Sequence, residues 1–134
     1  MWIRLNLNIG VTKEVIPSNS AYKGKIYMLV NGGTFSAAAI LAANLQSVNN
    51  DVTVVGEESG GGSEGCTGGT FKHFTLDNST LTLSHGEIPL RTLGNYPVKG
   101  RGIIPGINIK YTINDHLAKR DLEMEWVIND IKSK

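Results

Sequence analysis

Ile26-Tyr27-Met28-Leu29-Val30, then Asn31-Gly32-Gly33-Thr34-Phe35-Ser36, then Ala37-Ala38-Ala39-Ile40-Leu41-Ala42-Ala43 is the stretch whose reading decides the fold. Its first five residues form a continuous apolar run bounded by Gly24 and by Asn31-Gly32-Gly33. Such a run reads as a short, fully buried strand. The glycines turn the chain, and a helix is expected from Thr34 or Phe35 through about Val48. Ile40, Leu41, Leu45 and Val48 share one helical face, and the interspersed alanines permit close packing. Asn49-Asn50-Asp51 is a turn, and Val52-Thr53-Val54-Val55 is the next strand. Strand, helix and strand in this order make a βαβ unit, expected to be a right-handed crossover between parallel strands. The fold class is α/β.

Outward from this unit the patterns change. Upstream, Ile3, Leu5, Leu7 and Ile9 alternate with polar residues, which is strand periodicity with one buried face. Residues 11–24 are loop-like. Downstream, Gly56 to Gly69 holds seven glycines and reads as a long flexible or tightly turning loop. A β-rich segment follows: Thr70–Leu76, Leu81–Ser84 and Ile107–Thr112, with Asp77-Asn78 turning the chain between the first two. From Asn114 onward the pattern is helical, with Asn114 or Asp115 as N-cap and Leu117, Leu122, Trp126, Val127 and Ile131 as its buried face.

Composition bounds the function. The 134 residues suffice for one domain and one core. An apolar fraction of 40%, a charged fraction of 19% and a net charge of +1 describe a globular chain. No basic stripe argues for nucleic acid, and no apolar run long enough for a membrane span is present. The opening Met1-Trp2-Ile3-Arg4-Leu5-Asn6 is too polar for a signal peptide. Cys66 is the single cysteine, which excludes an internal disulfide and a thiolate metal site. No cofactor or metal is expected.

Ser36 is the candidate nucleophile on local grounds. A buried strand feeding a glycine turn and a helix exposes a hydroxyl at the carboxyl edge of the sheet, where α/β sites lie. Unpaired N–H groups of the first helical turn can face a developing oxyanion, and the helix dipole favours negative charge there. The same pattern also describes an ordinary N-cap, for which Thr34 serves as well as Ser36. It is not the G-x-S-x-G elbow, because two residues separate Gly33 from Ser36 and Ala38 follows. A phosphate loop is excluded, since the glycine loop lacks the Gly-Lys-Ser/Thr ending.

Three blocks together carry a resemblance. Lys25–Asn31 with Thr34-Phe35-Ser36-Ala37-Ala38 resembles the nucleophile region of the C-terminal processing peptidases, also called tail-specific proteases, with the tricorn core protease as a relative. Val54–Gly62 resembles that family's glycine loop, and Gly100-Arg101-Gly102-Ile103-Ile104-Pro105 before Ile107-Asn108-Ile109 resembles its G-x-G-[VI]-x-P segment. The blocks stand in the family's order, and the resemblance covers residues 23–131. It implies a ClpP/crotonase-like fold and serine-type endopeptidase activity on a peptide or protein, through an acyl-enzyme. It implies Ser36 as nucleophile and the Ala37 backbone N–H as one oxyanion donor. It makes export to the bacterial periplasm or cell envelope the expected location, and it leaves oligomerisation open.

The sequence departs from the family in its base. Dyad-type members carry a lysine about 25 residues after the serine, where this chain has Gly61; the nearest downstream lysine is Lys72. Tricorn-like members bring a histidine from before the serine, and none precedes Ser36 here. The second oxyanion donor, an upstream glycine loop in the family, has no counterpart in residues 1–24. His73, His85 and His116 read as strand, turn and helix surface residues, and Lys99 as solvated. Glu57 and Glu58 open the glycine loop, and Glu58 is the candidate for orienting a histidine supplied from elsewhere. The expectation is a single domain that forms the C-terminal portion of a larger peptidase domain. In that division 1–24 match poorly, 25–112 form the catalytic core and 113–134 the C-terminal helices. A non-catalytic peptide-binding or assembly domain on the same fold is the alternative. A crotonase-like acyl-CoA enzyme is disfavoured for want of a nucleotide site.

Overall fold

The computed structural model describes residue 16 and residues 18–48, 51–94 and 99–133. The alternation at 3–9 therefore lies outside the described residues. Strand β1 (Ile26–Val30) runs into helix α1 (Ala37–Val48), which returns the chain to β2 (Val52–Gly56). β1 and β2 pair in parallel from Ile26 opposite Val52 to Val30 opposite Gly56. β5 (Ile107–Asn108) joins β2 in parallel on its other side, giving the sheet order β1-β2-β5. Between them β3 (Gly65–Thr75) and β4 (Thr82–Arg91) form a separate antiparallel hairpin. Helices α2 (Ile113–Leu117) and α3 (Leu122–Lys132) close the chain.

The mixed α/β architecture and the parallel βαβ unit are as expected. The core is not where the largest apolar residues point. The buried face of α1 is Ala39, Ala42 and Ala43, which pack with Val30, Val54 and Ile103. Leu41 and Val48 are 59% and 66% exposed, while Ile40 and Leu45 are half-buried. Alanines at i, i+3 and i+4 let the helix approach the sheet closely, and that contact outweighs the pull of the bulkier stripe. Among the described residues β1 pairs with β2 alone and only Val30 of it is fully buried, so the fully buried reading of this run is corrected.

The β-rich segment is longer than its alternation suggests at one end and shorter at the other. β3 begins within the glycine run at Gly65, and β4 extends to Arg91. The turn at residues 77–79 falls where Asp77-Asn78 places it. β5 keeps only Ile107 and Asn108 in register, because the chain then turns to cap α2. The cap is Thr112 rather than Asn114 or Asp115. Its side chain accepts from the Asp115 N–H while the Asp115 carboxylate accepts from the Thr112 N–H, a reciprocal capping box. A second helix starts at an Asp121 cap. Splitting the C-terminal pattern exposes Leu117 and Ile131 and leaves Val127 as its buried residue. α3 is held against β1 by Asp130, which pairs with Lys25 at 2.9 Å and accepts from the Tyr27 hydroxyl, and by an edge contact of Tyr27 with Trp126.

Candidate active site

The turn after β1 is built by Asn31. Its carbonyl accepts from the Thr34 N–H at 2.8 Å and its side-chain oxygen from the Gly33 N–H at 2.8 Å. Thr34 Oγ1 accepts in return from the Asn31 N–H at 3.1 Å. Thr34 thus closes the turn and caps nothing. The chain then passes through Ser36 at φ +50°, a left-handed conformation that costs a non-glycine residue about 1–2 kcal/mol. The Ser36 carbonyl accepts the first bond of α1, from the Ile40 N–H at 3.0 Å.

This geometry separates the two local readings of Ser36. An N-cap serine holds extended dihedrals and turns its oxygen onto the helix N–H groups. Ser36 does neither. It is exposed, and its Oγ makes its one hydrogen-bonding contact among the described residues with Cys66 Sγ, at 3.9 Å. The Ala37 N–H opens the helix with no acceptor among the described residues, so it is free to meet an oxyanion.

The glycine loop is laced down. Gly61 N–H donates to the Thr34 carbonyl at 2.9 Å, which ties the loop to the serine turn. A Cβ on Gly60 would stand 2.2 Å from the Gly32 oxygen, and one on Gly61 would stand 2.6 Å from Ala39 Cβ and 3.2 Å from the Ser36 nitrogen. Only glycine allows this approach. On its far side the loop is fastened to residues 101–103. The buried Ser59 donates to the Gly61 carbonyl at 2.7 Å and accepts from the Ile103 N–H at 2.7 Å. The buried Ser63 donates to the Arg101 carbonyl at 3.0 Å. Of the two sequence alternatives for this loop, flexible or tightly turning, the second is the one realised.

Glu58 belongs to this fastening. Arg101 Nε donates to its Oε1 at 2.7 Å, a terminal guanidinium nitrogen donates to its Oε2, and the Gly102 N–H adds a bond of 2.9 Å. The Arg101 hydrogen bond first, and the Gly102 N–H second, hold the Glu58 carboxyl down at about 2. The structure brings Glu58 to Arg101 and not to a histidine. Arg101 stands in the quoted G-x-G block, but the pairing joins residues 43 apart and no local pattern signals it.

The other titratable candidates lie away from Ser36. His73 and His85 are exposed on the hairpin, opposite Ser84 and Lys72. Lys72 is paired with Glu87 at 2.7 Å. Lys99 is exposed. His116 is exposed on α2 and stacks on the Tyr111 ring with centroids 4.9 Å apart. Cys66 is a neighbour of the serine that sequence reasoning missed, because the contact bridges a helix, a strand and a loop. Beside the Asn31–Gly33 turn lies a cleft of about 720 Å³ that runs to Tyr111 and α3.

No curated protein matches the chain. The model of Peptidase family S41 does, over residues 8–109. That span holds β1, the serine turn, the laced glycine loop, the hairpin and β5. It covers well over half of the sequence, so the chain belongs to Peptidase family S41, the C-terminal processing peptidases.

Proposed function

We propose that this chain carries the nucleophile of a serine-type endopeptidase of the C-terminal processing class, on a ClpP/crotonase-like fold. The observation that carries the reading is Ser36: a left-handed, exposed serine at a helix start whose hydroxyl caps nothing. Strain held at such a point is characteristic of functional sites.

In this reading Ser36 Oγ attacks the scissile carbonyl and its proton passes to a general base. The Ala37 N–H receives the oxyanion. Collapse breaks the C–N bond, the amine leaves with the proton, and water hydrolyses the acyl-Ser36 ester to regenerate the hydroxyl. A serine hydroxyl is a weak nucleophile without an adjacent base. Among the described residues no histidine or lysine hydrogen-bonds to Ser36, so the base comes from outside them. A positioned base contributes about 10²–10⁴-fold. Glu58, with both oxygens engaged, acts by fastening the far side of the glycine loop to Arg101 and Gly102.

A fluorophosphonate probe tests the reading. It should label Ser36 in the full protein, and Ser36→Ala should abolish labelling. Labelling that persists in the variant removes Ser36 from the role of nucleophile, and peptide binding without labelling favours a non-catalytic domain.

A further inference from the structure

We propose that the cleft beside the serine turn is a subsite for a basic side chain, lysine or arginine, of a bound peptide. The proposal rests on the peptidase reading for the source of its ligand, and on the cleft itself for its chemistry. The cavity of about 720 Å³ opens directly onto Gly32 and Gly33. A Cβ built on Gly32 meets nothing within 4 Å, so this wall is open to an incoming group. Gly33 precedes Ser36 by three residues, so their Cα atoms are at most about 11 Å apart. That is the span of roughly three extended peptide residues. A peptide with its scissile carbonyl at Ser36 therefore has side chains within reach of the cleft.

The sign of the cleft selects the ligand. Glu57, Asp121 and Glu123 line it, against a single guanidinium from Arg120. Arg120 is already matched twice: by Asp115 Oδ1 at 2.9 Å, and by Glu125, whose two oxygens accept from its Nε and a terminal nitrogen. Its charge is spent within α2 and α3. The Glu57 carboxylate has no hydrogen bond or ion pair among the described residues. An anionic side chain meets like charge here, and a cationic one meets an opposite charge at Glu57.

The shape suits a long organic cation. Tyr111 presents a ring whose orientation is fixed at its hydroxyl, which donates to Glu123 and accepts from the Leu122 N–H at 2.9 Å. With His116 stacked on it at 23°, it forms a flat wall of the kind on which a guanidinium or ammonium settles. A small metal cation fits less well, because among the described residues no three His, Cys, Asp or Glu converge to hold one.

The test uses the full chain with Ser36→Ala, which removes turnover, and measures binding of three blocked alanine hexapeptides by fluorescence anisotropy. One carries a central arginine, one a glutamate and one a leucine. The arginine peptide should bind about tenfold tighter than the glutamate peptide, with the advantage shrinking as salt is raised. Glu57→Gln with Asp121→Asn, which keeps a capping side chain on α3, should remove most of that advantage. Glu57→Gln alone should remove part of it, and it stands in for the pair if the double variant does not fold. Equal binding of the arginine and glutamate peptides, or a preference unchanged by the substitutions, overturns the proposal. Fluorophosphonate labelling of the wild type separates the two readings. Basic preference without labelling leaves the subsite standing and the peptidase reading lost. Labelling without basic preference does the reverse.

Discussion

Ser36 Oγ lies 3.9 Å from Cys66 Sγ, so the first residues of β3 wall the Ser36 hydroxyl on one side. The contact is too long to activate the serine, and a thiol supplies no base at that distance. It fixes where bulk is tolerated. Cys66→Ala should leave fluorophosphonate labelling of Ser36 nearly unchanged. Alkylation of Cys66 by N-ethylmaleimide should block labelling in the wild type and leave Cys66→Ala unaffected. Labelling of the alkylated wild type at the normal rate would show that the thiol is not beside the hydroxyl.

The Glu58 pair predicts a pH effect with a definite sign. Its carboxyl lies at about 2 in the fold, against an ordinary value near 4.5. A depressed folded value means that the unfolded chain takes up the proton first as pH falls. The stabilisation is therefore complete above about pH 4.5 and is lost between there and pH 2. Both side chains are substantially solvated, which keeps the effect small. The melting temperature of the wild type should decline through this window more steeply than that of Glu58→Gln, in parallel thermal scans. Identical slopes would rule the pair out as the source.

The βαβ unit was legible because its signals are local: an apolar run, a glycine turn, a helical period and a second apolar run. The place of Ser36 at a strand–turn–helix junction was legible for the same reason. The buried face of α1 was not, because hydrophobic patterning weights leucine over alanine, and here the alanine stripe at 39, 42 and 43 meets the sheet. The lacing of the glycine loop was not legible either. Ser59 with Ile103 and Glu58 with Arg101 join residues more than forty apart, and no periodicity reports such pairs. The Thr112 cap was missed because the strand alternation reached through residue 112 and hid the start of the helix.

Gly61 should tolerate no side chain. An added methyl would meet Ala39 Cβ at 2.6 Å and the backbone of Phe35 and Ser36 just beyond 3 Å. Relief requires the loop to lift from the serine turn, which breaks the Gly61–Thr34 hydrogen bond. Overpacking of this kind costs about 1–3 kcal/mol. Gly61→Ala should lower stability in urea titrations by that amount and reduce Ser36 labelling with it. Gly32→Ala, whose Cβ meets nothing within 4 Å, is the matched control for stability. If the two variants unfold at the same urea concentration, the loop does not approach the turn as closely as described.

The backbone at Ser36 predicts a gain in stability bought with activity. At φ +50° a serine pays the left-handed penalty, and an alanine pays it equally. A glycine does not, although it gains freedom in the unfolded chain. Net of that entropy, Ser36→Gly should be more stable than Ser36→Ala by about 0.5–1 kcal/mol. Neither substitution sacrifices a cap bond, since the hydroxyl makes none, so alanine should match the wild type. Both variants lose the hydroxyl and, on the proposed function, should lose labelling. The ordinary N-cap reading predicts the opposite order for alanine, because removing a capping oxygen costs about 1 kcal/mol. Melting curves of the three proteins therefore decide between a strained nucleophile and a helix cap without any substrate. Glycine highest, with alanine level with serine, identifies the strained residue; alanine well below serine identifies the cap.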